Sequence, residues 1–399
     1  GTFMMAERVP IDTYCEKKIP TLQKSYDGLI DYVDISSVDN TEKKIISYQT
    51  IESNDAPSRA KQLLKKGDVL VSTVRPNLNA VAVVEEETEN LMVGSTGYCV
   101  LRCKDNMDVR YLFNFCQSQY FVDDMSSQAT GASYPAVSNG IVRSALIPCY
   151  SIEEQREIAE KMDTVSELLA LCKQQLAELD ELIKSRFIEL FGDPVDNPKS
   201  YLVKSLQELI DMGYITYHLD GNHGGDYPRS EEFVDSGVPY IGANSIVNGE
   251  IDFSMAKYLT AERAGKLRKG IAQNEDVLFA HNATVGPTVV LHTTESKVIL
   301  STSLTAYRCN KAKLLPNYLK AFMQSEGFVR QYSGEMKQTT RNQVPITAQK
   351  KYLFLVPPIV EQEQFATFVE QTDKSKLAVQ QSIAELEELK KSLMQKYFG

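Results

Sequence analysis

Four histidines, His218, His223, His281 and His292, are the residues of this 399-residue chain best suited to acid–base or metal chemistry. In the stretch YHLDGNHGGD over 217–226, His218, His223 and Asp226 have a spacing compatible with a metal site on a Gly-rich loop. That spacing is not specific, and an ordered polar loop accounts for it equally well, so no metal or other cofactor is predicted. The seven cysteines include no C-x-x-C pair, and no local pattern supports a Cys–His nucleophile. Gly265-Lys266 has neither the upstream glycine nor the following hydroxyl of a P-loop, and there is no G-x-G anywhere. The Asn/Asp-Pro-Pro-aromatic signature of adenine methylation is missing too, since Pro357-Pro358 is followed by Ile359. The residues point to binding, and no catalytic residue is assigned.

Several loops instead combine residue types that read nucleic acid. Arg59 and Lys61 lie in APSRAKQLLKK (56–66), and Arg75, Asn77 and Asn79 in TVRPNLN (73–79). Gln128, Thr130, Ser133 and Tyr134 lie in SSQATGASYPAVSNG (126–140), whose counterpart GEMKQTTRNQVP (334–345) offers Lys337, Gln338, Thr340, Arg341 and Asn342. His281, Asn282 and Thr284 come from FAHNATVGP (279–287), His223 and Arg229 from the Gly-rich loop, and Asn244 from GVPYIGANSIVNGEI (237–251). Arg pairs with two acceptors of guanine and Asn or Gln with adenine, while Lys and hydroxyls suit phosphate. Loops are also polar simply because they are wet. The recurrence of such loops at matching places favours the DNA reading.

The formal net charge of −10 argues against a nucleic-acid partner only if it is evenly spread. It is not: residues 151–192 hold ten acids against five bases, and residues 359–399 seven against five. The remainder is near neutral and leaves room for a basic face. Odd, scattered cysteines read as reduced thiols, and no apolar run approaches 18 residues, so a cytoplasmic protein without a membrane partner is predicted.

What positions these loops is an internal repeat. LAELDELIKSRFIELFG (176–192) and IAELEELKKSLMQKYFG (383–399) agree at nine of seventeen positions, an offset of 207. The same offset aligns IEEQ (152–155) with IVEQ (359–362), and one residue out it aligns GDVLV (67–71) with EDVLF (275–279). The repeat is thus a gene-scale duplication of about 200 residues. Ile158, Met162, Val165, Leu169, Cys172, Leu176, Leu179 and Ile183 form a heptad stripe. Its counterpart, Phe365, Val369, Val379, Ile383, Leu386 and Leu393, is weaker because Lys376 and Lys390 fall on the stripe, with Leu389 available on the flank. Two helices of about 40 residues, roughly 60 Å each, are expected to pair antiparallel. The segments between them are strand-rich: KKGDVLVSTVR and LNAVAVVEE read as strands joined at Pro76-Asn77, VILSTSLTAYRC alternates, and short helices are predicted over 109–124 and 317–332. The predicted fold is α+β, with mixed-sheet domains at 1–150 and 193–356 and long helices at 151–192 and 357–399. A DNA reader, a coiled-coil scaffold with two protein-binding heads, and an enzyme without a signature all remain open at this level.

The order head, long helix, head, long helix resembles the specificity (S) subunit of type I restriction-modification systems over nearly the whole chain. Local matches are YVDISSVDN (32–40), GDVLVSTVRPNLNAVAVV (67–84) and PCYSIEEQREIAEKMD (148–163). In the second half they are GVPYIGANSIVNGEI (237–251) and PPIVEQEQFATFV (357–369). A proline followed within a few residues by glutamine at the start of each helix, P-x-x-x-Q in the second, and the Phe-Gly finish of both carry the resemblance further. It implies two target-recognition domains, each reading half of a split, asymmetric sequence in double-stranded DNA. It also implies an antiparallel helical spacer that docks two adenine-methylating modification subunits, to which restriction/translocase subunits add. The chain itself would then be non-catalytic, and its acidic helix faces would meet protein instead of phosphate.

Overall fold

The run Val69-Leu70-Val71 offers apolar side chains to both faces, which a strand tolerates only when both faces are covered. Val69–Ser72 is the centre of an antiparallel three-stranded sheet between Val81–Val83 and Tyr98–Leu101, and every residue of the three strands is buried. Beside it a four-stranded sheet runs in the order Gln49–Glu52, Leu29–Val33, Leu91–Ser95, Ala60–Leu63, with Leu29–Val33 and Leu91–Ser95 parallel. The expected helix over 109–124 is two helices, Val109–Gln117 and Gln119–Gln128. Ser118 is extended between them and caps the second by accepting from the Phe121 N–H. The computed structural model describes residues 7–336 and 342–399. These belong to two compact units, residues 1–174 with 380–399 and residues 175–379.

The second unit repeats the plan. Val277–Asn282 lies between Thr284–Val290 and Leu304–Cys309, and Val238–Ile241 runs parallel to Val298–Leu300 in a five-stranded sheet. The predicted continuous strand VILSTSLTAYRC breaks at Ser301–Ser303 into two strands of different sheets, as Leu91–Ser95 and Tyr98–Leu101 do in the first unit. In each unit an aspartate heads the central strand and is closed off by an arginine from the neighbouring strand. Asp68 accepts from Arg102 Nε and Nη2, both at 2.7 Å, and Asp276 accepts from Arg308 Nε and Nη2, both at 2.8 Å. Both carboxylates are buried and both arginines also bond a backbone carbonyl, Leu63 or Ile271, so each two-pronged pair is fully engaged.

The long helices are Ile152–Phe191 and Ile359–Phe398. Each is fastened at its start by a buried glutamine at the fourth helical position. Gln155 accepts from the Asp108 N–H and donates to the Tyr150 carbonyl at 2.9 Å; Gln362 accepts from the Leu315 N–H and donates to the Pro357 carbonyl at 2.8 Å. Each helix ends on a buried phenylalanine. Phe191 packs 4.8 Å from Tyr318, and Phe398 packs 5.3 Å from Tyr111. Tyr111 and Tyr318 are repeat equivalents, and their hydroxyls donate to the equivalent carbonyls of Pro148 and Leu355. Gly192 then leaves the first helix at φ 77, with Pro198 so close that a Cβ would overlap its ring. Arg8 donates to the carbonyls of Phe398 and Gly399.

Within each unit the two helices run antiparallel. Ile158, Ala159 and Met162 share a core with Leu393, Met394 and Phe398, whereas Ile183, Phe187 and Phe191 share one with Phe365 and Val369. Val165, Leu169 and Val379 are buried on the same stripes, and Cys172, Leu176, Leu179, Ile383 and Leu386 are half-buried. Leu389 does not replace a stripe lysine: it is exposed, and Lys376 and Lys390 occupy the stripe themselves. Lys376 Nζ reaches Asp180 at 2.7 Å, and burial, with Lys173 nearby, pushes the Lys390 ammonium below its usual range.

Phe398→Ala is expected to cost about 3–5 kcal/mol of stability, as for a large buried aromatic, while Leu389→Ala stays within about 0.5 kcal/mol. Thermal melting of the full chain checks the contrast, and equal effects would mean the helix end is not anchored as described. A second expectation concerns His218, buried with Nε2 3.1 Å from Gln349 Oε1 and with no partner for Nδ1 among the described residues. Burial lowers its pKa to about 4, opposed by the Gln349 bond and Asp220 and assisted by Lys350. Because the folded value lies below the unfolded one, His218 contributes stability above about pH 6.5 that is lost as pH falls toward about 4, up to roughly 3 kcal/mol. Denaturant melts of wild type and His218→Asn across that range should show a shallower decline in the variant.

Candidate nucleic-acid interface

Each central strand runs out into a rim of loops tied together by backbone hydrogen bonds. In the first unit the Thr73 N–H and hydroxyl both donate to the Gly97 carbonyl at 2.9 Å, and the Val137 N–H donates to Thr73. The Arg75 N–H donates to the Pro135 carbonyl at 2.7 Å, Ala136 bridges to both Val74 and Thr130, and the Thr96 N–H donates to Arg59. Residues 59, 96–97, 73–75 and 130–137 are therefore one connected surface, and Arg59, Thr130, Ser133 and Tyr134 are exposed on it. Tyr134 is 68% exposed, the most of any large apolar side chain described. The Arg75 guanidinium lies 4.7 Å from its ring centroid. Arg75 has left-handed backbone angles (φ 50, ψ 60), uncommon for a residue other than Gly or Asn. Beside the pair is a cavity of about 350 Å³ whose lining includes Ile35, Asn40, Leu78 and Ala80. Leu78 is exposed there, a contribution the sequence reading missed because a leucine next to a strand reads as core.

The second unit builds the same rim from different residues. The His281 N–H donates to Ser303, the Val344 N–H to His281, and the Ala283 N–H to Asn342 at 2.9 Å, while Asn282 bridges to Gln343. Ala283 stands where Arg75 does and is also left-handed, at φ 64. Of the predicted contacts in this rim, Thr284 and Asn342 are exposed and Asn282 is half-buried. Lys337, Gln338, Thr340 and Arg341 lie outside the described residues.

Two predicted contacts are corrected by their surroundings. His281 is 1% exposed, its Nδ1 is 3.0 Å from the Val344 carbonyl, and burial holds its pKa below the usual imidazole value, so it supports the rim from beneath. Thr73, at the equivalent place in the first unit, is buried as well. Asn79 is also spent internally: Oδ1 accepts from Lys43 Nζ at 2.8 Å and Nδ2 donates to the Cys116 carbonyl at 2.8 Å. Burial, with Lys390 nearby and against the pull of Asp39, lowers the Lys43 pKa to about 8. Lys61, Asn77, Arg229 and Asn244 are exposed, and Gln128 is exposed with its amide on Asp124. His223 is exposed, with Nε2 2.7 Å from Asp220 Oδ2. Among the described residues no group of three or more His, Cys, Asp or Glu is placed to hold a metal, and no helix is long and apolar enough to cross a membrane.

The family profile described as type I restriction modification DNA specificity domain matches this chain twice, over residues 11–181 and 201–388. The MjaVIII type I restriction enzyme specificity subunit of Methanocaldococcus jannaschii is 20% identical over 286 residues, covering 68% of this chain; the chain spans 65% of that relative's length. The EcoKI specificity subunit of Escherichia coli K12 is 23% identical over 314 residues, covering 75% of this chain and 67% of the relative. A solved chain from work on complex assembly and conformational transition of the type I R-M system shares the fold at a TM-score of 0.60 and 25% identity, over 98% of this chain and 97% of that one. Two profile matches that coincide with two structurally repeated units, and a fold shared over nearly the full length, carry one conclusion: the chain belongs to the type I restriction-modification DNA specificity family, that of the S subunits.

Proposed function

We propose that each unit reads one half of a split DNA sequence through its loop rim, and that the paired helices set the gap between the halves. The observation that carries this is the rim itself: the same backbone scaffold is built twice but displays different side chains, Arg75 and Tyr134 in one and Ala283, Thr284 and Asn342 in the other. One scaffold with two displays suits two unlike half-sites, and so an asymmetric target. The residues offered for contact are Arg59, Lys61, Arg75, Asn77, Gln128, Thr130, Ser133, Tyr134, His223, Arg229, Asn244, Asn282, Thr284 and Asn342, with Lys337, Gln338, Thr340 and Arg341. Their types suit base edges and phosphates of double-stranded DNA. The chain contributes recognition; the chemistry belongs to partners, two adenine-methylating modification subunits and the restriction/translocase subunits. Leu168, Leu171, Leu182 and Leu377 project exposed from the long helices, away from the paired stripe, and supply apolar anchors among the acids for such protein partners. The cytoplasm is where those partners and the DNA meet.

The test is to express the chain with an adenine-methylating modification subunit and map methylated adenines across the host DNA. A two-part motif is expected, with half-site centres about one helical turn, roughly 34 Å, apart. Inserting one heptad into each long helix adds about 10 Å, and should lengthen the gap by about 3 base pairs while leaving both half-sites unchanged. Changed half-sites with an unchanged gap would defeat the division of labour proposed. Binding of the assembled complex to its target should also weaken steeply between 50 and 200 mM salt; a coiled-coil scaffold without a DNA role would show no such slope.

A further inference from the structure

We infer that Arg75 is a specificity-determining residue of the first unit, reading a guanine from a seat on Tyr134; this rests on the DNA-reading role proposed above. Three observations converge on it. The first is backbone strain kept in duplicate. Arg75 and Ala283 occupy the same place after the central strand, both left-handed, and each donates its N–H to the returning loop, to Pro135 or Asn342. Glycine would adopt that conformation without cost, so the loop anchor explains the backbone angles but not the arginine.

The second observation is the seat. The guanidinium lies over the Tyr134 ring, 4.7 Å from its centroid, and among the described residues it forms no ion pair. Its N–H donors remain available on the Tyr134 face, as paired recognition of guanine O6 and N7 requires. The backbone of Tyr134 is placed by a tight turn: at Gly131 (φ 110) a Cβ would meet the Tyr134 carbonyl at 2.9 Å. The third is the surround. The adjoining cavity is lined mostly by apolar side chains such as Ile35, Leu78 and Ala80, with Tyr134, Asn40 and Ser72, and among the described residues Arg75 is its one cation. A phosphate seat would gather several cations or backbone N–H groups, whereas a largely apolar surround with a single arginine suits the edge and faces of a base. In the second unit Ala283 removes the guanidinium while the anchor stays, so the guanine preference belongs to one half-site only.

Replacing Arg75 with glycine separates the two roles, because glycine keeps the anchor and relieves the strain. The full chain with its modification subunit is used for wild type, Arg75→Gly, Arg75→Lys and, as the matching control, Ala283→Gly. Melting temperatures of both glycine variants should be unchanged or raised. In the methylation maps Arg75→Gly should lose its preference for one G·C pair in one half-site by roughly 5- to 150-fold, with the other half-site and the gap intact. Arg75→Lys should lose part of the same preference, since an ammonium cannot make the paired contact, and Ala283→Gly should leave the motif unchanged. An unaltered motif in Arg75→Gly, or a loss spread evenly over all positions as for a phosphate contact, overturns the inference while leaving the two-half reading standing. If wild type itself yields no two-part motif, the underlying reading falls and this assignment falls with it.

Discussion

The architecture depends on how each long helix is held at both ends. A buried glutamine fastens the start and a buried phenylalanine the finish, and the two fastenings meet around one tyrosine in each unit. Tyr111 bonds the Pro148 carbonyl just before the first helix and receives Phe398 from the end of the second. Tyr318 bonds the Leu355 carbonyl before the second helix and receives Phe191 from the end of the first. An unsatisfied buried amide or an empty aromatic site each costs more than an ordinary surface contact returns, so the four fastenings define where each helix begins, ends and faces. A 40-residue helix with a modest apolar stripe would otherwise have little to fix its register.

The pairing stripe shows why such fastening is needed. Lys376 and Lys390 sit among the apolar positions, where a hydrocarbon would add more stability. Lys376 is matched by Asp180 across the seam, so sliding or inverting the partner would strand a half-buried ammonium. The seam thus gives up some strength for a single arrangement. The rigid cores beneath the loops have the same character: the Asp68–Arg102 and Asp276–Arg308 pairs close the same corner of each unit and hold the root of the central strand that leads to the rim.

Much of this was legible in the sequence because it rests on periodicity and repetition. The heptads and the offset of 207 disclose both helices and the doubled plan, and the Phe-Gly echo marked residues that turn out to be anchors. Other features were less legible where one residue changed the local geometry. Ser118 divides a helix that periodicity reads as continuous, and Ser301–Ser303 sends one alternating run into two sheets. At the candidate interface, residue type alone could not separate Asn77, which is exposed, from Asn79, whose amide is consumed by Lys43 and Cys116. Nor could it show that His281 lies under the rim, as its repeat partner Thr73 does. Polar side chains in loops announce their chemistry but not their direction.

The exchange of end anchors between the repeats has an evolutionary reading. One repeat alone, a head with its own helix, carries a phenylalanine at the far tip and a tyrosine site at the near end, some 60 Å apart along a stiff rod. It cannot fill its own site. Two identical copies could fill one another's, giving a closed two-fold pair, which as a reader of DNA would be limited to inverted-repeat half-sites. Fusing the copies into one chain keeps that mutual clasp while freeing each head to change its displayed residues independently; on the two-half reading proposed above, new pairs of half-sites would then arise by altering one head at a time, without disturbing the clasp.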